Sequence, residues 1–149
     1  MKRILYVVLV LGTFALTGCS GFGGYREQAQ HEDGVYRGVF IDGDSIQVNV
    51  EFALKDGIVQ EASFRRLHRD YADYHVAATE EPYRSVVQQY KEVLAHLVGK
   101  HLETHLADLY EPENIITTEV DGYTRATVRS NKVLSAIRDG LNRGVYSRP

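Results

Sequence analysis

Ile46-Gln47-Val48-Asn49-Val50-Glu51-Phe52-Ala53-Leu54 alternates apolar and polar residues, so that Ile46, Val48, Val50, Phe52 and Leu54 fall on one face and Gln47, Asn49 and Glu51 on the other. Successive side chains of a strand point to opposite faces, and this pattern predicts a strand covered on one side only. Upstream, Val35 to Ile41 is rich in β-branched and aromatic residues, and Asp42-Gly43-Asp44 is a turn signal joining it to the alternating run. Downstream, Lys55-Asp56-Gly57 offers a tight reversal into Ile58 to Leu67. Residues 35–67 therefore predict an antiparallel three-strand meander.

Beyond the meander the period changes. Residues 68–80 have no clear repeat and hold His68, Arg69, Asp70, Tyr71, Asp73, Tyr74 and His75, a polar and aromatic loop able to line a site or simply to cover surface. From Pro82, Tyr83, Val86, Val87, Tyr90, Leu94, Leu97 and Val98 form a helical stripe, with proline suited to its first turn and Gly99 to its end. A shorter helix with Leu102, Leu106 and Leu109 is expected next, stopped by Pro112, and a last helix carries Val133, Leu134, Ile137 and Leu141 with Gly144 beyond it. Strands followed by helices predict an α+β domain, a twisted antiparallel sheet packed by helices. No internal repeat interrupts that order.

The chain of 149 residues, 44% hydrophobic and 25% charged, suits one domain behind a leader. Lys2 and Arg3 precede an uncharged stretch, apolar from Ile4 to Leu16, that is short for a membrane span and suits a signal-peptide core. It ends in Leu16-Thr17-Gly18-Cys19, which resembles a bacterial lipobox. The resemblance implies cleavage after residue 18, acylation of Cys19, and an extracytoplasmic protein anchored by lipid to the cell membrane or outer membrane. An uncleaved anchor is the alternative, because no charge occurs between Ile4 and Tyr25. Residues 19–33 are glycine-rich and then polar, a composition suited to a flexible tether, and the domain is expected over 34–149.

Of the 17 basic residues, Lys2 and Arg3 leave with the leader, so 15 face 20 acidic residues in the mature chain. That balance argues against nucleic acid as a partner. The single cysteine excludes an internal disulfide and a thiolate metal cluster.

Asp121-Gly122-Tyr123-Thr124-Arg125-Ala126-Thr127-Val128-Arg129-Ser130-Asn131 reads as a polar loop feeding the last helix. Free N–H groups at a helix start and the helix dipole favour a phosphate there. Equally, Thr127 or Ser130 could be a plain N-cap.

Asp121, Thr124, Ala126 and Thr127 fill the positions of the motif of the FMN-binding domain family, and the chain resembles that family at these residues. The family includes the flavin-carrying subunits of sodium-translocating NADH-quinone reductases and related envelope electron-transfer proteins. Asp33-Gly34-Val35-Tyr36-Arg37-Gly38 resembles its opening strand, Lys55-Asp56-Gly57-Ile58 its hairpin, and Ser130 to Ile137 its closing helix, so the resemblance covers about residues 33–142. It implies an FMN-binding-domain-like fold, FMN as cofactor, and Thr127 as the hydroxyl joined to the FMN phosphate by an extracytoplasmic flavin transferase. Asp121 and Thr124 would present the loop to that enzyme or hold the flavin, with Ala126 and Val128 beside it. Unidentified envelope redox partners would exchange electrons with the flavin, making the protein a carrier rather than an enzyme with its own substrate. Tyr71 and Tyr74 are candidates to stack on the ring.

Two residues depart from the motif: Arg125 stands where glycine is usual and Arg129 where a small hydroxyl residue is common. Their guanidinium groups suit pairing with a phosphate. Solvent-exposed charge at a helix start is the other reading, and phosphoester linkage and simple binding at Thr127 both stay open.

Two rival readings come from other classes. His96, His101 and His105 lie close in sequence, with the last two spaced to share a helix face and bind a metal. The order His101-Leu102-Glu103-Thr104-His105 is not the zinc-protease pattern and offers no obvious third ligand. The second rival is a flavin-free envelope interaction or antigen module with the same fold.

Overall fold

The computed structural model describes residues 31–43, 45–69, 72–73, 79–119 and 123–148. The leader, Cys19, most of the expected tether, Asp44, Asp70, Tyr71, Tyr74, His75, Asp121 and Gly122 lie outside the described residues, as do the side chains of Thr124 and Arg125.

The fold is α+β. Strands β1 (Gly34–Asp42), β2 (Ser45–Lys55) and β3 (Ile58–Arg69) form an antiparallel meander, to which a two-residue strand β4 (Ala72–Asp73) adds at the β3 edge. Helix α1 (Tyr83–Leu97) follows, then a single α-helical turn α2 (Leu102–His105), two 3₁₀ turns (Leu106–Tyr110 and Pro112–Asn114), and the long helix α3 (Tyr123–Arg143).

The β2–β3 reversal is a two-residue loop: Lys55 pairs with Ile58 while Asp56 and Gly57 have φ of 51° and 76°. Positive φ at both positions is the type I′ geometry whose twist matches that of the flanking strands. Asp33 Oδ1 accepts from the Asp56 N–H at 2.7 Å, so the chain is tied to the domain before Gly34. Tyr36 adds to this by donating its hydroxyl to the Glu32 carbonyl at 2.6 Å.

Alternation in β2 delivers Val48, Val50, Phe52 and Leu54 to the core, where all are buried; the side chain of Ile46 lies outside the described part. They meet Tyr36 of β1, Val59 and Leu67 of β3, and a stripe of α1 comprising Val86, Val87, Tyr90, Val93, Leu94 and Leu97. Tyr36 stacks on Phe52 with ring centroids 5.3 Å apart. Tyr83 and Val98, expected on the α1 stripe, are each 42% exposed, and Val93 is buried instead. Val93 completes the i, i+3, i+4, i+7 pattern from Val86, whereas Val98 is already in extended backbone past the helix end.

The expected second helix is likewise shorter than its leucine spacing suggests. Leu102 and Leu109 are buried, but they are connected through a 3₁₀ turn, and Pro112 opens a further 3₁₀ turn.

Helix α3 lies across β1 and β2 at backbone distance. A Cβ built on Gly38 would stand 1.9 Å from the Ala136 carbonyl oxygen and 2.4 Å from the Gly140 nitrogen. Only a residue without a side chain permits this approach. It also brings Asp139 to the open edge of β1, where its Oδ2 accepts from the Val39 N–H at 2.8 Å. The same edge is paired at Val35 by the C-terminal segment, through Val35 N–H to Ser147 O at 2.9 Å and Tyr146 N–H to Val35 O at 2.7 Å. Edge groups that would otherwise invite a foreign strand are thereby occupied at Val35 and Val39.

Gly38→Ala is expected to cost about 3 kcal/mol or more, because backbone rather than a yielding side chain blocks the new methyl group. Chemical denaturation checks this; an unchanged midpoint would contradict the close approach.

Candidate functional site

The segment expected to be a loop before the last helix is the helix itself. Helix α3 begins at Tyr123, so Thr124 to Asn131 are helical, and Thr127 and Ser130 lie inside the helix rather than at its cap. The physical reason is a buried stripe that starts earlier than the apolar residues alone suggest. Ala126, Arg129, Ser130, Val133, Leu134 and Ile137 are all buried, at the 3–4 residue spacing of one helix face. Two of those six are polar, which disguises the stripe in the sequence.

Both polar members have partners. Ser130 Oγ donates to the Leu109 carbonyl oxygen at 2.5 Å, fastening α3 to the 3₁₀ turn beneath it. Arg129 is 7% exposed and donates through its guanidinium to Gln89 Oε1. Gln89, itself buried on α1, donates its Nε2 to the Thr118 carbonyl oxygen at 2.7 Å. Arg129 is thus, through Gln89, a strut between two helices and the segment that leads into α3. The expectation of a guanidinium turned toward a phosphate, or left in solvent, is corrected for Arg129; the Arg125 side chain lies outside the described part.

A second clamp holds the same approach. Glu92 of α1 accepts from Thr117 N–H at 2.8 Å and Thr118 Oγ at 2.7 Å, with Thr118 N–H and Thr117 Oγ each at 3.2 Å. Burial raises the Glu92 pKa, but the hydrogen bonds from Thr118 and Thr117 outweigh it and hold the carboxyl below the ordinary glutamate value. Gln89 and Glu92 were not singled out from the sequence. A glutamine on the inward stripe of a helix, between Val86 and Val93, is the signal that marks a buried polar partner.

Thr127 and Val128 face away from that anchored stripe. Val128 is 48% exposed and Thr127 is half-buried, on a segment fixed from behind. Ala126 is buried. With the helix starting at Tyr123, the unpaired N–H groups belong to residues 123–126, ahead of Thr127. One turn beyond Thr127 on the same face is Asn131, whose Oδ1 is fully buried and has no hydrogen-bond partner.

The histidines separate. His96 Nε2 lies 2.8 Å from Asp108 Oδ2, and this hydrogen bond is the main cause of an Asp108 pKa below the ordinary aspartate value. His101 packs on the hairpin, its Nε2 2.5 Å from where a Cβ on Gly57 would lie, and the His105 Nδ1 is 3.0 Å from the His101 carbonyl oxygen. Among the described residues no group of three His, Cys, Asp or Glu side chains is placed to hold a metal ion. No described helix is long and apolar enough to cross a membrane. Two adjoining clefts, of about 550 and 540 Å³, share His31 and Leu141 and are not lined by residues 126–129.

No family model, curated protein or solved structure matches this chain.

Arg129→Met is expected to destabilise the fold by about 2–3 kcal/mol by leaving the buried Gln89 oxygen unpaired. Adding Gln89→Leu should recover part of the loss, and additive denaturation energies in that cycle would contradict the strut. For Glu92 the folded pKa is lowered, so its contribution is present above the unfolded value near 4.5 and is lost as pH falls through the lower folded value. Acid denaturation of Glu92→Gln should therefore show a shallower fall in stability below about pH 4.5 than the wild type.

Proposed function

We propose that the chain is a lipid-anchored, extracytoplasmic FMN-binding protein that carries electrons between envelope partners, with FMN esterified through its phosphate to Thr127. The observation that carries this reading is the placement of Thr127: a half-buried residue of the last helix whose neighbours Ala126, Arg129 and Ser130 are buried in the core. A flavin transferase needs an accessible hydroxyl, and an electron carrier needs its cofactor held in a fixed attitude, since the protein's task is to orient the cofactor. The Ser130–Leu109 and Arg129–Gln89 contacts supply that rigidity to the helix that bears Thr127. When bound, FMN supplies reversible one- or two-electron transfer.

In this reading Thr127 provides the attachment oxygen. Val128, exposed next to Thr127, offers apolar surface to the ligand. Asp121 and Thr124 precede the attachment residue and are assigned to presentation of the segment to the transferase, and Arg125 to pairing with the phosphate. Acylated Cys19 keeps the domain at the membrane surface, where redox partners are met by diffusion in two dimensions. Arg129 is buried and engaged with Gln89, and its part in this reading is to hold the helix that bears Thr127.

Full-length chain co-expressed with a flavin transferase in an exporting host should be yellow, fluorescent in denaturing gels, and heavier by one FMN less one water. Thr127→Ala should lose all three signals. Colour without added mass would indicate binding without a bond. A colourless wild type, despite an active transferase and supplied FMN, would favour the flavin-free envelope module, the reading with which a purely structural Arg129 agrees best.

A further inference from the structure

We propose that the outer face of the sheet is the surface on which the domain rests against anionic phospholipid headgroups, an inference that rests on the reading of Cys19 as an acylated anchor. Helices α1 and α3 pack on the face that carries Tyr36, Val50 and Phe52, and no described helix lies on the other. Strand alternation sends Arg37, Glu51 and Lys55 to that other face, with Glu61 opposite Ala53 and Arg66 opposite Asn49. Arg37 and Arg65 both pair with Glu51, the second at 3.8 Å, so a carboxylate of β2 lies between guanidinium groups of β1 and β3. Asp73, at the corner of the face, lies 3.4 Å from His68. Along the three meander strands the basic Arg37, Lys55, Arg65 and Arg66 thus outnumber the acidic Glu51 and Glu61 on this face, whereas in the whole chain acidic residues outnumber basic ones, 20 to 17.

Composition and reach select the partner. Ile41 is 54% exposed and Tyr146 61%, and Arg37 Cζ stands 3.8 Å from the centroid of the Tyr146 ring at the margin of the face. Arginine beside an exposed tyrosine and an aliphatic side chain suits the headgroup level of a bilayer, where the charge meets phosphate and the ring sits at the interface. Charge at the centre of the face makes this a resting contact rather than insertion into the hydrocarbon. His31 follows Cys19 by 12 positions, at most about 40 Å of extended chain, so an acylated terminus keeps the domain beside the headgroups. The anchor then supplies proximity, and a small charge excess suffices to select which face turns toward the lipid. At roughly fivefold per basic residue near an anionic surface, an excess of two gives about a 25-fold preference. Helix α3 lies on the other side of the sheet and would face away from the bilayer, toward soluble partners.

The chain has no tryptophan, so a single introduced one reports its own surroundings. The full chain, matured in an exporting host, carries either Ile41→Trp on the sheet face or Tyr110→Trp at a 50% exposed position among the helices. Each is reconstituted on vesicles of phosphatidylcholine alone or of equal parts phosphatidylcholine and phosphatidylglycerol, with a headgroup spin-labelled lipid as quencher. On the anionic vesicles the Ile41→Trp fluorescence should be quenched at least about threefold more strongly than that of Tyr110→Trp, as a 25-fold preference for one face requires. The difference should vanish on neutral vesicles, in high salt, and when Arg65→Glu and Arg66→Glu are added. Arg65→Gln and Arg66→Gln serve if the charge reversal does not fold. Equal quenching at the two positions on anionic vesicles, or a difference that persists on neutral ones, would overturn the proposal. Shielding of position 41 that grows with protein density on both kinds of vesicle would also overturn it, and assign the face to a second copy of the chain. If the mature protein carries no acyl group and does not stay with the vesicles, the anchor reading itself fails; if it is acylated but the two positions respond alike, only the role of the sheet face fails.

Discussion

The contact between Gly38 of β1 and Gly140 of α3 governs the rest of the molecule. Two backbones meet there with no room for a side chain. That contact fixes the depth and direction of the longest helix. Asp139, the residue before Gly140, reaches Val39, and Lys132, two turns earlier, reaches Gln47 at the bulged end of the β1–β2 pair. The helix therefore runs antiparallel to β1. Thr127 precedes Gly140 by 13 residues, roughly 20 Å along the axis, which carries it toward the β1–β2 turn. A close pair of glycines at one end of the helix thus decides where a hydroxyl stands at the other.

Past the sheet, apolar contact with β1 no longer holds the helix, and buried polar contacts take over. Arg129 and Ser130 tie it to α1 and to the 3₁₀ turn at Leu109, while Glu92 and Gln89 of α1 hold Thr117 and Thr118 on the approach to it. Such groups contribute little net stability when satisfied and cost much when one partner is lost. They are suited to specifying one arrangement of the helix start, which is what a cofactor attachment residue requires.

The fold was legible where side-chain period coincides with chemistry. Strict alternation from Ile46 to Leu54 marked β2, and Asp56-Gly57 marked a hairpin whose two positive φ angles both residues tolerate. Legibility ended where polar residues occupy inward positions. Arg129 and Ser130 made the first turns of α3 look like a loop, and Gln89 sat unnoticed on the buried stripe of α1. Their burial depends on partners 21 and 40 residues away in sequence, and no local pattern records such pairings. Val93 was missed for the opposite reason, since Tyr83 and Val98 appeared to extend the stripe although they lie at its exposed ends. At the candidate site, the motif drew attention to Thr127 but gave no sign of the engagement of Arg129 with Gln89.

In the proposed function α3 presents Thr127, and no other residue, for attachment of a flavin phosphate. The two arginines that depart from the motif make this directly measurable, because trypsin cleaves the denatured chain after Arg125 and Arg129 and releases Ala126-Thr127-Val128-Arg129. Tandem mass spectrometry of the digest from flavin-loaded protein should find FMN on that tetrapeptide with the phosphate on threonine. Flavin on any other peptide, or the unmodified tetrapeptide alone after exposure to an active transferase, would contradict it.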